Sequence, residues 1–223
     1  DAHGPAAHAK ARENLDLFRN NGWMIQDENP CFYLYRQTWK GRTQTGLMAA
    51  CSVDEYDQGL IKRHELTRPD KEQDRVDNME ALDAQPGLVF LAYRDTSDAV
   101  REAMKVASAL PEAWTVTTDD AVEHTLTVID NPVLVEQLQA AFADQACLYV
   151  ADGHHRSAAA SRGCAARNGT GTSGWFLAGL FPDSELEVLA YNRVVRDLNG
   201  HRTTEFMKAV SEPFIGPPSS TSR

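Results

Sequence analysis

Apolar positions along this chain fall into short runs of two kinds, spaced three or four apart or clustered continuously, and Gly, Pro and Asn punctuate them. From His8 to Asn21, Leu15 and Phe18 share one helical face, and Asn20-Asn21-Gly22 supplies a left-handed stop, so a helix is predicted there. Cys31 to Trp39 and Thr43 to Val53 read as two strands of a hairpin around Lys40-Gly41, a short turn in which Gly41 can take positive φ. Pro69 opens a helical stretch reaching Ala84, in which Val76, Met79 and Leu82 repeat at three-residue spacing and nearly everything else is charged.

Leu88 to Tyr93 is a continuous apolar run behind Pro86-Gly87, the signature of a buried strand. Asp98 to Leu110 is helical, with Val100, Met104 and Ala107 inward. Trp114 to Thr118 and Thr125 to Ile129 read as further strands. Asn131-Pro132 caps a helix whose Leu134, Leu138 and Phe142 recur every four residues. Cys147 to Ala151 is another buried strand, followed at once by Asp152-Gly153-His154-His155-Arg156 and an Ala-rich helix ending near Asn168-Gly169. Gly169 to Gly174 reads as a flexible linker, Trp175 to Phe181 and Leu186 to Tyr191 as strands, and Thr204 to Val210 as a helix. Residues 215–223 lack periodicity and are expected to be disordered. The expected fold class is therefore α+β, a mixed β-sheet with flanking helices in a single domain over 1–214.

Composition narrows the function. With 22 Lys plus Arg against 32 Asp plus Glu the formal charge is −10, which disfavours a nucleic-acid partner, since affinity for phosphate backbones needs many cations on one face. No apolar run approaches the roughly 18 residues a membrane span needs, so no membrane partner is expected. Cys31, Cys51, Cys147 and Cys164 are scattered without CxxC spacing, which reads as buried thiols and fits a reducing cytoplasm.

The turn Asp152-Gly153-His154-His155-Arg156 has the chemistry of an anion site. Backbone N–H groups at a helix start carry partial positive charge, Gly153 permits close approach, and two imidazoles and a guanidinium converge. The plain structural reading is a helix capped by Asp152 with solvated neighbours, but five polar residues directly after a buried strand favour function. Asp152 could instead hold a histidine tautomer or ligate a metal such as Mg²⁺. A metal site assembled from Asp152, His154, His155 and His64 is the rival reading, though adjacent histidines diverge on a helix and lack the i, i+4 spacing of a zinc pair.

The second constellation, Lys62 to Arg75, gathers five Lys or Arg within fourteen residues of an acidic chain. A solvated helix with salt bridges accounts for Asp74, Arg75 and Asp77. His64 and Glu65 precede the Pro69 helix start and so lie on a loop able to face a cleft. Arg68 and Lys71 could add positive charge for an anionic ligand, and Tyr191-Asn192-Arg193 closes an expected strand that could line the same cleft.

Arg63-His-Glu-Leu-Thr-Arg-Pro-Asp-Lys-Glu-Gln-Asp-Arg75 and Val150-Ala-Asp-Gly-His-His-Arg-Ser-Ala-Ala159 resemble the two hallmark stretches of the prokaryotic "domain of unknown function ten-fifteen" family. Thr43 to Gly46 and Tyr191 to Val195 also match its pattern, and the resemblance runs to about Phe214. Members of that family are usually longer at both ends, which implies that this chain is a fragment. More distantly, Asp-Gly-His-His-Arg after a strand resembles the phosphate-binding turn of the ParB/sulfiredoxin superfamily and its free-serine kinases, which also carry a His-Glu pair.

That resemblance implies a ParB/sulfiredoxin-like nucleotide site. Gly153, His154, His155 and Arg156 would hold phosphates, Asp152 would orient the turn or Mg²⁺, Glu65 would be the base and His64 would assist, with Arg68, Lys71 and Arg193 as further anion contacts. The implied function is a nucleotide-dependent kinase using a nucleoside triphosphate or diphosphate with Mg²⁺ to phosphorylate a small hydroxylated metabolite such as free serine. The alternatives are a nucleotide-binding switch of ParB type without turnover and a metal-dependent hydrolase using Asp152, His154 and His155. Sulfiredoxin chemistry is not expected, because it needs a cysteine in the turn and this turn has none.

Overall fold

The computed structural model describes residues 4–190, 192 and 194–211. The chain divides after Leu186 into two compact units. Over its described residues the first carries eight strands and six α-helices. In the second the described regular element is the helix α7 (Thr203–Ser211). The expected disordered stretch 215–223 lies outside the described residues, as do Tyr191 and Arg193.

The first unit is a mixed eight-stranded sheet with helices packed on it, as the alternation of strand and helix patterns predicts. Its hairpin is β1 (Phe32–Trp39) with β2 (Arg42–Ser52), in antiparallel register from Tyr33 opposite Met48 to Trp39 opposite Arg42. The connecting Lys40 and Gly41 both have positive φ, 51° and 77°, the pair of left-handed residues that a two-residue turn needs to match strand twist. The remaining strands are β3 (Ile61–Lys62), β4 (Val89–Tyr93), β5 (Trp114–Thr117), β6 (Glu123–Ile129), β7 (Leu148–Asp152) and β8 (Trp175–Pro182). Across the sheet they run β3-β7-β4-β8-β2-β1-β6-β5. The β3/β7 and β4/β8 pairs are parallel, and the other neighbours are antiparallel.

The helices form where caps and apolar spacing agree. These are α1 (Pro5–Asn20), α2 (Val53–Asp57), α3 (Pro69–Leu82), α4 (Asp98–Ser108), α5 (Pro132–Ala143) and α6 (His154–Ala166). The side chains of Ser97 and Asn131 accept from the first-turn amides of α4 and α5. Val100, Met104 and Ala107 of α4 are buried, and so are Leu134 and Leu138 of α5, whose Phe142 meets Tyr93 edge-on at 5.2 Å. Helix α6 packs on β4 and β8, α3 packs on α6, and α1 on α3. Leu34, Leu47, Ile61, Leu91, Val150 and Phe176 are among the fully buried side chains, so the core sits along the middle strands.

Two features depart from the sequence pattern. The expected strand Leu186–Tyr191 does not form over its described residues. Strand β8 lies between β2 and β4 with both edges already paired, which leaves no edge for a hairpin partner. The chain instead turns through a short 3₁₀ segment, Asp183–Glu185, that accepts hydrogen bonds from the Asp95 amide and Arg94 at Asp183 and from Arg42, Gln44 and the Thr45 amide at Glu185. The stretch read as a flexible linker contains a second 3₁₀ turn, Gly171–Gly174.

Close approach of β2 and β8 depends on Gly46, where an added Cβ would lie 2.5 Å from the buried Phe181 ring. Gly46→Ala is expected to lower stability by about 1–3 kcal/mol through overpacking, read as a lower urea midpoint at unchanged slope. An unchanged midpoint would show that the ring has room to retreat.

Candidate functional site

The site begins where β7 ends. Val150 is buried and Asp152 exposed, and Gly153 turns the chain into α6 with φ of +93°. A Cβ at Gly153 would be strained by the left-handed conformation and would also crowd the Val89 α-carbon at 3.3 Å, so the turn favours glycine on both counts. Gly153 is itself the N-cap and no side chain caps the helix, contrary to the reading in which Asp152 does so. Its carbonyl accepts from the amides of Arg156 and Ser157 at 2.8 and 3.1 Å. The helix start is thus left with its dipole and first amides directed toward the turn.

Strand β3, which the sequence pattern did not reveal, brings the second motif to this place. It pairs parallel to β7, Ile61 with Leu148 and Lys62 with Tyr149, so the chain beyond Lys62 runs on in the direction of Asp152. The Arg68 amide donates to His155 Nε2 at 3.2 Å. His64 meets His154 edge-on, with ring centres 4.5 Å apart, and Glu65 Oε2 lies 3.6 Å from His154 Nδ1. The sequence-derived residues His64, Glu65, His154 and His155 therefore converge.

His154 is the unusual member. It is 4% exposed, and its Nε2 has no hydrogen-bond partner. A buried imidazole with an orphaned nitrogen costs free energy that packing alone does not return. Its pKa is lowered, first by burial and then by neighbouring His64, against the opposing pull of Glu65 and Asp152. The neutral ring is favoured. Glu65 stays 57% exposed beside it, an accessible carboxylate held next to a neutral imidazole.

Arg156 turns the other way. Its Nη1 donates to the Leu88 carbonyl at 2.9 Å and lies 3.9 Å from Asp152 Oδ2. Gly87 makes room for it, since a Cβ there would fall 2.8 Å from Arg156 Nε. The guanidinium is 42% exposed and carries five donors, so it can receive an anion beyond the bond to Leu88. The remaining candidates are less engaged with the turn. Arg68 is paired with Asp70 at 2.6 Å, which holds the Asp70 carboxyl below its ordinary range, and Lys71 is exposed in the first turn of α3. Arg193 lies outside the described residues.

Asp74 and Arg75 form an ion pair, as a solvated helix with salt bridges would have, but Asp74 is less exposed than that reading expects. Asp74 is 16% exposed and bonds both Arg75 and His8, the latter at 3.4 Å. They and Arg156 line a hollow of about 370 Å³ beneath α1 and α3. Sequence reasoning missed His8, Gly87 and this hollow; Pro86-Gly87 was legible only as a strand boundary. Among the described residues no three His, Cys, Asp or Glu side chains come together as a metal site. The four cysteines are unpaired, and no helix among the described residues is long and apolar enough to cross a membrane.

The family model described as "Protein of unknown function (DUF1015)" matches residues 1–222, past Phe214 where the sequence resemblance was expected to stop. No curated protein and no solved structure matches the chain.

Because the folded state depresses the His154 pKa, the unfolded chain binds the extra proton first as pH falls through the ordinary histidine value of 6.5. The contribution of neutral His154 is present above that value and is lost on acidification below it. Wild type should therefore lose stability between pH 7 and 5 more steeply than His154→Gln, measured by urea unfolding at each pH. Parallel slopes would place the titration elsewhere.

Proposed function

The chain belongs to the DUF1015 family of proteins of unknown function, and from that premise we propose that it is a nucleotide-dependent phosphotransferase acting on a small hydroxylated metabolite, free serine among them. The observation that carries this reading is the arrival of the His64-Glu65 loop on His154 and His155 in the first turn of α6. Phosphoryl transfer asks a protein chiefly for position and charge: donors for the phosphate oxygens and a carboxylate within reach of the attacking hydroxyl. The helix start, His155 and Arg156 would supply the first, and Glu65 the second.

In the proposed step the substrate hydroxyl oxygen forms a bond to the terminal phosphorus, and the bond from that phosphorus to the bridging oxygen breaks. The hydroxyl proton passes to Glu65, and the shortened nucleotide leaves with the electron pair. Neutral His154, with His64 against it, would hold the Glu65 carboxylate in place without pairing its charge away. Mg²⁺ would supply neutralisation of phosphate oxygens; Asp152 is the exposed carboxylate nearest the turn, and a magnesium ion bound through one carboxylate, phosphates and water needs no all-protein cage. The likeness of Asp152 to Arg156 to the phosphate turn of the ParB/sulfiredoxin superfamily supports the same assignment.

The test combines thermal shift with ATP, ADP, CTP and GTP, each with Mg²⁺, and a transfer assay to serine and other hydroxylated acceptors. A nucleotide-specific rise in Tm is expected by mass action, and it should be lost in Arg156→Ala compared with that variant's own nucleotide-free Tm. Glu65→Gln, at an exposed position, should keep the rise and lose transfer by about 10²-fold or more. Undiminished turnover in Glu65→Gln removes Glu65 as the base. Binding without transfer to any acceptor would leave a nucleotide-gated switch, and no rise with any nucleotide would remove the reading.

A further inference from the structure

The hollow below Arg156 does not end at α1. A second cavity of about 250 Å³ adjoins it, and the two share Met79 and Gln85 in their walls. One stripe of α6 lines both: Arg156 in the first, then Ala160, Gly163 and Arg167 in the second, at steps of four, three and four residues, the spacing of a single helix face. Arg156 is the residue of the Asp152–Arg156 turn that reaches these walls, and from it the two hollows follow α6 toward its C-terminal end. From Arg156 to Cys164 this path is about 12 Å at 1.5 Å per helical residue.

The two ends differ in chemistry. At the Arg156 end, Arg75 and Arg156 are set against the half-buried carboxylate of Asp74, with His8 beside it, and against the exposed Asp152 3.9 Å from Arg156, so the charges balance there. The far end is closed by Arg167, which donates to both Glu80 oxygens at 2.9 and 2.8 Å and to Asp83 at 2.9 Å, and there negative charge is in excess. Its floor is apolar, with Phe176, Ala160 and Cys164, and Trp175 is 51% exposed at its rim beside the amide of Gln85, which donates to the Trp175 carbonyl at 2.8 Å. Gly163 lies in its wall, where a Cβ would touch only Met79, at 3.8 Å. A flat, uncharged heteroaromatic ring suits such a seat, and an anion does not.

We propose that this groove is the nucleotide's binding track, with the base seated between Trp175, Gly163 and Cys164 and the phosphates drawn toward Arg156. The proposal rests on the nucleotide reading above and adds the place and orientation of the ligand. The charge gradient sets the direction, and the helix stripe sets the reach.

Cys164 lies in the seat and gives a footprint on the unaltered protein. Cys51 is buried with its thiol pushed up to about 12, so it stays silent, while Cys31 and Cys147 are half-buried and serve as internal references. Alkylation by iodoacetamide is followed by peptide mass spectrometry without ligand, with ADP or ATP plus Mg²⁺, and with inorganic tripolyphosphate. The expected result is at least a five-fold slowing at Cys164 by nucleotide, with no change at Cys31 or Cys147 and none from tripolyphosphate. Gly163→Leu, which places a side chain in the seat, should weaken nucleotide by at least ten-fold and leave tripolyphosphate unaffected. Nucleotide that raises Tm yet leaves Cys164 alkylation unchanged overturns the base seat and leaves the phosphotransferase reading standing. Equal protection by tripolyphosphate overturns it likewise. No Tm rise with any nucleotide overturns both.

Discussion

Gly153 is the point on which the candidate site hangs. Its left-handed conformation lets β7 turn directly into α6 while the backbone lies close to Val89 at the start of β4, a separation at which a Cβ would be crowded. Because the turn sits tight against β4, the Leu88 carbonyl is within reach of Arg156, and the side chain of Arg156 needs the bare backbone of Gly87. One backbone constraint therefore sets the direction of α6, the aim of its first amides and the posture of its guanidinium. A larger residue at Gly153 would disturb all three together.

The sheet order completes what that turn begins. Strand β3 is only two residues long, yet its parallel pairing with β7 sends the following loop toward the same sheet end where α6 starts. His64 and Glu65 gain their place from this pairing and from the Arg68 amide bonded to His155. His154 beside them is buried with one nitrogen unpartnered among the described residues, and unpartnered buried polar atoms are uncommon in folded chains.

Helix α6 has two jobs on two faces. Its buried small residues Ala158 and Ala159 allow close packing, while the stripe of Arg156, Ala160, Gly163 and Arg167 lines the hollows under α3. Ion pairs from Arg162 to Glu72 and from Arg167 to Glu80 and Asp83, with a hydrogen bond from Arg162 to the Gln73 side-chain oxygen, tie α6 to α3. These pairs are exposed enough that their net stabilising effect is small.

The hairpin with its Lys40-Gly41 turn, the capped helices α4 and α5, and the strand–turn–helix at Cys147 to Ala166 were legible in the sequence because each is decided by neighbours along the chain: a cap, a period, a positive-φ glycine. The turn residues Asp152 to Arg156 and the pair His64-Glu65 were legible as candidates for the same local reason, polar residues placed where packing would choose apolar ones. Their meeting was not. It depends on β3, whose two residues carry no period, and on which sheet edges remain free, a property of the whole strand order that also cancelled the expected strand after Leu186. His8, Asp74 and the groove along α6 escaped the sequence because cavities are spaces left between elements, and only the packing of α1, α3 and α6 defines them.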